Sequence, residues 1–243
     1  MALSSIILSA EYFDWLWQGA QITLGLSALA IIAATLLGAV LAFLRQTQAL
    51  LLKLFVVSYC AFFRNTPLLV QLFFWYFAVG KFLPHSWLPW LNAHHAFTLS
   101  GIAFVWPSFE FLSGLFGLTL YFAAFISEEI RSGIQGIAKG QKQASLALGL
   151  TQWQTMRFVI LPQAFKLALS PLLGQYMNII KSTSLTMAIG VTELSYAARQ
   201  VETASLKAFQ AFAIATLFYI LIIACIEAFG IWAEHKQQMR ARH

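Results

Sequence analysis

With 243 residues, 60% of them hydrophobic and 10% charged, and a mean hydropathy of +0.73, the chain lacks the composition of a soluble domain, in which about a quarter of residues are charged. A net charge of +6 would point to nucleic acid in a soluble protein. In so apolar a chain it reads as membrane topology instead, and no nucleic-acid partner is expected.

A membrane span needs roughly 20 apolar residues. The predicted architecture is all-α, a single transmembrane domain over 1–243 with about five spans. The amino terminus, to about Gln18, has Glu11 and Asp14 as its only charges and lacks the basic region of a signal peptide. Span 1 is expected over 19–44, ending before Arg45. The stretch 54–82 is too long for a simple span and is interrupted at Arg64-Asn65-Thr66-Pro67, which predicts a broken span 2. Residues 83–109, rich in Pro, His and Trp, read as an outer segment with interfacial aromatics Trp87, Trp90 and Trp106. Spans 3, 4 and 5 are expected over 111–130, 167–189 and 208–232, with a polar elbow over 131–166 between the third and fourth.

Lysines and arginines orient the whole. Arg45, Lys53, Arg131, Lys139, Lys142, Arg157, Lys166, Lys236, Arg240 and Arg242 fall on one side, against Lys81, Arg199 and Lys207 on the other. The positive-inside rule then places the elbow and the C-terminus in the cytoplasm and the N-terminus outside.

The elbow, GQKQASLALGLTQWQTMRFVILP from Gly140 to Pro162, is the most informative stretch. Gln141 to Ala147 suits a helix, and Gly149 stands where a helix C-terminus favours a left-handed residue. Thr151 and Gln154 fit a capping box that starts a second helix. On it Trp153, Met156 and Ile160 recur on one face, and Leu161-Pro162 is expected to end it. The result is a helix–turn–helix able to dock on another protein.

Ionisable residues at membrane depth are functional candidates. Arg64 either snorkels to the interface or borders a cavity opened by Asn65, Thr66 and Pro67. Lys181, ten residues after Pro171, sits about 15 Å further along a helix and is flanked by the hydroxyls of Ser182, Thr183 and Ser184. Glu128, three residues before Arg131, is either an ion-paired helix end or a gate group. His94-His95 has poor metal spacing and reads as a solvated loop, while Cys60 and Cys225 lie apart in apolar runs, so no metal site is expected. The chain has no G-x-x-x-x-G-K-[ST] loop for ATP phosphates, no H-E-x-x-H and no G-x-S-x-G, so it is not read as an enzyme.

Four stretches resemble motifs of bacterial ABC importer permeases. Gln143-Ala144-Ser145, Gly149 and Val159-Ile160-Leu161-Pro162 match the spacing of that family's cytoplasmic loop, E-A-A, three residues, Gly, nine residues, I-x-L-P. Gln143 stands for its glutamate, Ser145 for its second alanine and Val159 for its isoleucine. FRNTPLLVQLFFWY resembles the R-G-T-P-L-L-V-Q segment of the polar amino-acid permeases (the histidine/glutamine/glutamate/arginine/opine group), with Asn65 for glycine. Lys181-Ser182-Thr183-Ser184-Leu185 is similar to its K-x-T-S-L, and Glu128 to Gly140-Gln141 to its A-E-x-x-R-x-G-I…G-Q run.

The resemblance implies a type I importer fold and a pore-forming permease subunit in the bacterial inner membrane. Its partners would be a second permease, identical or related, two ATP-binding subunits and an extracytoplasmic amino-acid-binding protein. ATP and Mg would reside on the ATPase, with no cofactor in this chain. Gly140, Gln143, Ala144, Ser145, Gly149, Leu161 and Pro162 would contact the ATPase, and the wording of the motifs leans toward acidic amino acids. The alternatives are a stand-alone channel or secondary transporter for a small polar solute, and a membrane scaffold.

Overall fold

A computed structural model describes residues 8–84, 86–93, 96–99, 102–105 and 107–240, with side chains described outside 96–99, 102–105 and 233–240. His94, His95 and Trp106 lie outside the described residues. The order is α1 (Ala10–Leu44), α2 (Leu50–Asn65), α3 (Leu68–Phe82, with a π turn at Phe74–Ala78) and α4 (Trp87–Asn92). A short antiparallel hairpin follows, β1 (Ala96–Leu99) with β2 (Ile102–Val105), in the register Ala96 to Val105. Then come α5 (Phe109–Gln135), α6 (Lys139–Ala147), α7 (Gln152–Ile189), α8 (Leu194–Ser205) and α9 (Ala208–Arg240).

α1, α5, α7 and the Ala208–Trp232 part of α9 are long and apolar enough to cross a membrane, and α3 is a shorter apolar helix. α1 is apolar on all sides, with Leu24, Leu29, Ile32, Leu36 and Val40 exposed. That pattern is stable only where the surroundings are themselves apolar. The helix expected from Gly19 begins at Ala10, because Leu16 is buried in a core and Tyr12 and Trp15 pack against it. The broken second span resolves into α2 and α3, with Pro67 extended between them (φ −62°, ψ 133°).

The chain forms two compact units. The first comprises residues up to Ile32, Asn65–Leu120 and Ile179–Ile220; the second comprises Ala33–Arg64, Tyr121–Asn178 and the residues from Leu221 on. The first unit's core joins Leu16 and Ala20 of α1 to Leu194, Ala197, Ala198 and Val201 of α8 and to Ala211 and Ala215 of α9. The small side chains let backbones approach closely. A Cβ on Gly19 would lie 2.8 Å from the Ala197 Cβ and 2.9 Å from the Leu194 Cα.

The second unit uses the same device. A Cβ on Gly133 of α5 would stand 2.8 Å from the Ala164 carbonyl oxygen and 2.9 Å from the Ala168 Cβ of α7. Gly133→Val should therefore force α5 from α7 and cost about 1–3 kcal/mol, as overpacking does. Gly174→Ala, with no atom within 4 Å of the added carbon, should cost nothing by this mechanism. Thermal unfolding of the two purified variants checks the contrast.

Candidate coupling elbow and buried polar sites

The elbow lies wholly in the second unit and its local structure follows from its sequence. α6 stops at Gly149, which is left-handed (φ 85°). The Leu150 amide donates to the Ser145 carbonyl (3.2 Å) and the Gly149 amide to the Leu146 carbonyl (3.0 Å). These two bonds make a complete Schellman motif. One residue on, the Gln154 amide donates to Thr151 Oγ1 (3.2 Å) and the Thr151 amide to Gln154 Oε1 (2.9 Å), closing the expected capping box. Ser145 is buried on the inner side of α6, where its hydroxyl meets Thr155 Oγ1 (3.1 Å) and the Lys142 carbonyl (2.9 Å). Gly140, Gln143 and Ala144 face outward, and Leu148 (84% exposed), Trp153 and Phe158 add uncovered apolar surface.

One expectation for the elbow needs correction. The second helix does not end at Leu161-Pro162: Leu161 is helical (φ −59°, ψ −43°) and α7 runs on to Ile189. A π turn at Thr155–Ile160 immediately precedes Pro162. The wider turn makes room for a ring that would clash with the carbonyl four residues back. Along this stretch Met156 is half-buried. Trp153 is 65% exposed, whereas Thr155 and Ile160 are buried.

Glu128 is an ion-pair hub of the second unit. Its Oε2 receives Arg131 Nε (2.8 Å) and Nη2 (2.7 Å), its Oε1 bonds Arg45 Nη1, and Arg64 Nη1 stands 3.7 Å away. Arg64 also lies over the Phe125 ring, 5.4 Å from its centroid. One carboxylate therefore ties the ends of α1 and α2 to α5. Glu129 accepts from Gln175 Nε2 (3.1 Å), a bond between α5 and α7 that sequence reasoning passed over.

The remaining pathway candidates belong to the first unit. At the break, Gln71 Nε2 donates to the carbonyl (3.2 Å) and hydroxyl of Thr66, while Asn65 and Pro67 are exposed. Gln71 itself is buried and is a further residue the sequence did not single out. Lys181 is exposed in the last α-helical turn of α7, where a cation suits the helix dipole. No carboxylate pairs with it among the described residues. From Thr183 the helix tightens to a 3-10 form ending at left-handed Gly190. There Thr183 Oγ1 donates to the Ile180 carbonyl (2.7 Å) and Ser184 Oγ to the Lys181 carbonyl (2.6 Å). These hydroxyls satisfy backbone groups where the ladder changes. Ser182 is half-buried beside them.

Glu193, between the spans, is fully buried at the start of α8 and was missed. Its Oε1 accepts from the Tyr196 amide (2.9 Å), and its Oε2 from Tyr219 Oη (2.6 Å) and Thr23 Oγ1 (3.4 Å). Thr23 Oγ1 in turn accepts from the Leu194 amide (3.1 Å). Glutamate is not among the favoured N-cap residues, so the usual helix-start signal was absent. Burial pushes the Glu193 carboxyl above its ordinary range, against the opposing pull of these hydrogen bonds. A carboxyl so raised binds its proton more tightly in the folded chain, so its contribution to stability declines as pH rises from about 4.3, the ordinary glutamate value. Glu193→Ala, which leaves buried donors unmatched, should cost about 1–3 kcal/mol and flatten this decline. Unfolding midpoints of both proteins over a pH series check it.

Residues 34–237 match the family described as binding-protein-dependent transport system inner membrane component. The glutamate/aspartate import permease protein GltJ of Escherichia coli K12 is 34% identical over 232 residues, covering 95% of this chain and 90% of that protein. The probable amino-acid ABC transporter permease protein PatM of Vibrio harveyi is 35% identical over 214 residues, covering 88% and 87%. Among solved structures, the crystal structure of an amino acid ABC transporter with histidines superposes with a TM-score of 0.78 at 26% identity, over 93% of this chain and 95% of that one. These likenesses remove the stand-alone channel and the scaffold. This chain belongs to the binding-protein-dependent transport system inner membrane components, as a non-catalytic, multi-pass permease subunit of an amino-acid ABC importer in the inner membrane.

Proposed function

We propose that this permease couples to its ATPase through the elbow and admits acidic amino acids. The observation that carries the coupling is the elbow itself: a short helix ended by a Schellman motif and followed at once by the capping box that starts α7, with Gln143, Leu148 and Trp153 exposed. Two such permeases, identical or related, would each seat one ATP-binding subunit on this surface, with ATP and Mg held by that subunit. A binding protein would deliver substrate on the opposite side, the elbow and C-terminus lying in the cytoplasm and the N-terminus outside. Movement of the elbow would pass into α7, whose unbroken run from Gln152 leads to Lys181. Rigid-body shifts of packed elements are a common form of such coupling. On this reading Gly140, Gln143, Ala144, Ser145, Gly149, Leu161 and Pro162 form or support the docking surface. The pathway candidates are Arg64 and Glu128 within the second unit and Asn65, Thr66, Pro67 and Lys181 to Ser184 within the first.

The acidic substrate is supported by the relation to the glutamate/aspartate permease. The exposed Lys181, with no carboxylate partner among the described residues, offers a cation that a substrate carboxylate could meet.

Two measurements test the reading. Trp153→Asp should reduce recovery of the ATPase subunit with tagged permease by about tenfold, by placing a charge in an apolar contact; undiminished recovery would remove the elbow from the interface. In proteoliposomes containing the whole transporter, radiolabelled glutamate uptake should be competed by aspartate but not by histidine. Competition by histidine alone would overturn the acidic assignment and leave the coupling intact.

A further inference from the structure

Two cavities lie side by side in the second unit and share Ile134 as a wall. The first, about 210 Å³, runs between α1, α5 and α7 and is lined mainly by apolar side chains such as Ala39, Phe43, Ile130, Ala164, Phe165 and Ala168. Its polar side chains, Thr35 and Tyr176, are hydrogen-bonded to each other (3.1 Å). All three walls belong to helices long and apolar enough to cross a membrane, and the cleft lies between them beside the elbow. It exists because Gly133 lets α5 and α7 meet through alanines, which leave a groove beside the contact. A helix, about 10–12 Å across with its side chains, is too wide for this volume. A flexible hydrocarbon chain is not.

The second cavity, about 400 Å³, is bordered by Gln46, Gln135, Lys139 and Lys142 over a floor that includes Met156 and Ile160. Gln135 is the last residue of α5 and Gln46 lies two residues beyond α1, so this cavity is at the level where both helices end. Two lysines and two glutamines are among its lining residues, and no acidic residue is among the described residues that line it. An acidic helix could meet the lysines, but it could not also enter an apolar cleft of about 210 Å³. A molecule with an anionic head and an apolar tail satisfies both.

We propose that the paired cavities bind one anionic glycerophospholipid, with its phosphate against Lys139 and Lys142 and part of one acyl chain in the cleft beside Ala39 and Phe165. Basic pockets between transmembrane helices are suited to such headgroups. The lipid would touch α6 through both lysines and α7 through Ile160 and Phe165, and so brace the elbow from the membrane side. The proposal rests on the chain's place in a membrane and not on the substrate assigned above.

The test uses the assembled transporter in mild detergent, given an equal mixture of phosphatidylglycerol and phosphatidylcholine with matched acyl chains, with retained lipid counted by native mass spectrometry. Phosphatidylglycerol should be retained about tenfold over phosphatidylcholine, since each basic residue near the surface strengthens anionic-lipid binding about fivefold before salt screening. K139Q/K142Q should bring the ratio near one. Ala39→Phe, or Ala39→Leu if the larger residue prevents folding, should lower retention of both lipids. Equal retention by the unmodified protein, an unchanged ratio in the lysine variant, or unchanged retention in both Ala39 variants would overturn the site. So would displacement of the lipid by inorganic phosphate, which would mark a soluble-anion site. Cross-linking of Ala39→Cys to the same position in a second permease would assign the cleft to a subunit interface and overturn it as well.

Discussion

A backbone amide or carbonyl in hydrocarbon must find its partner within the protein, because no water is there to supply one. This requirement governs the places where the helices of this permease stop being regular. At the break after α2, Gln71 bonds Thr66. Where α7 tightens into a 3-10 form, Thr183 and Ser184 return their hydroxyls to carbonyls one turn back. At the start of α8 a buried glutamate takes the place of solvent for the Tyr196 amide. The polar side chains that look like a substrate pathway in the sequence are in part the cost of departing from a helix. Lys181 is the exception, since its hydroxyl neighbours are occupied while no carboxylate pairs with its ammonium among the described residues.

Charge follows the same economy. Three arginines approach Glu128, and one of them, Arg64, is also seated on an aromatic ring. A lone guanidinium at depth is expensive, whereas a shared carboxylate and a ring face lower that cost. The hub thus explains how arginines at the ends of α1 and α2 are tolerated beside apolar spans. It also makes Glu128 a structural tie before it is anything else, and any gating role must work by breaking these pairs.

The elbow owes its stiffness to a different source. Outside the hydrocarbon, water could satisfy its ends, and a flexible loop would suffice to join two spans. Instead the C-terminus of α6 and the N-terminus of α7 are each closed by their own hydrogen bonds, and the Ser145–Thr155 contact pins the short helix to the start of α7. The π turn before Pro162 keeps α7 continuous, so the elbow is an extension of a membrane helix and not a hinge. That continuity would suit the coupling proposed above.

Much of this was legible in the sequence where the controlling physics is local. Hydropathy over roughly 20 residues marks a span, and the left-handed Gly149, the Thr151–Gln154 box and the break at Pro67 each depend on neighbours a few residues apart. What the sequence could not decide depends on residues distant along the chain. The passage of α7 through Pro162 required a π turn that no propensity announces. Glu193 became a cap only because Thr23 and Tyr219, 170 and 26 residues away, fold onto it. Gln71, Glu129 and the two adjoining cavities were likewise invisible until helices packed. By itself the sequence marked the apolar stretches, the caps of the elbow and the family, because hydropathy and capping are short-range. Tertiary structure alone decided which polar groups are already bound and which stay available, because burial and pairing belong to the packed whole.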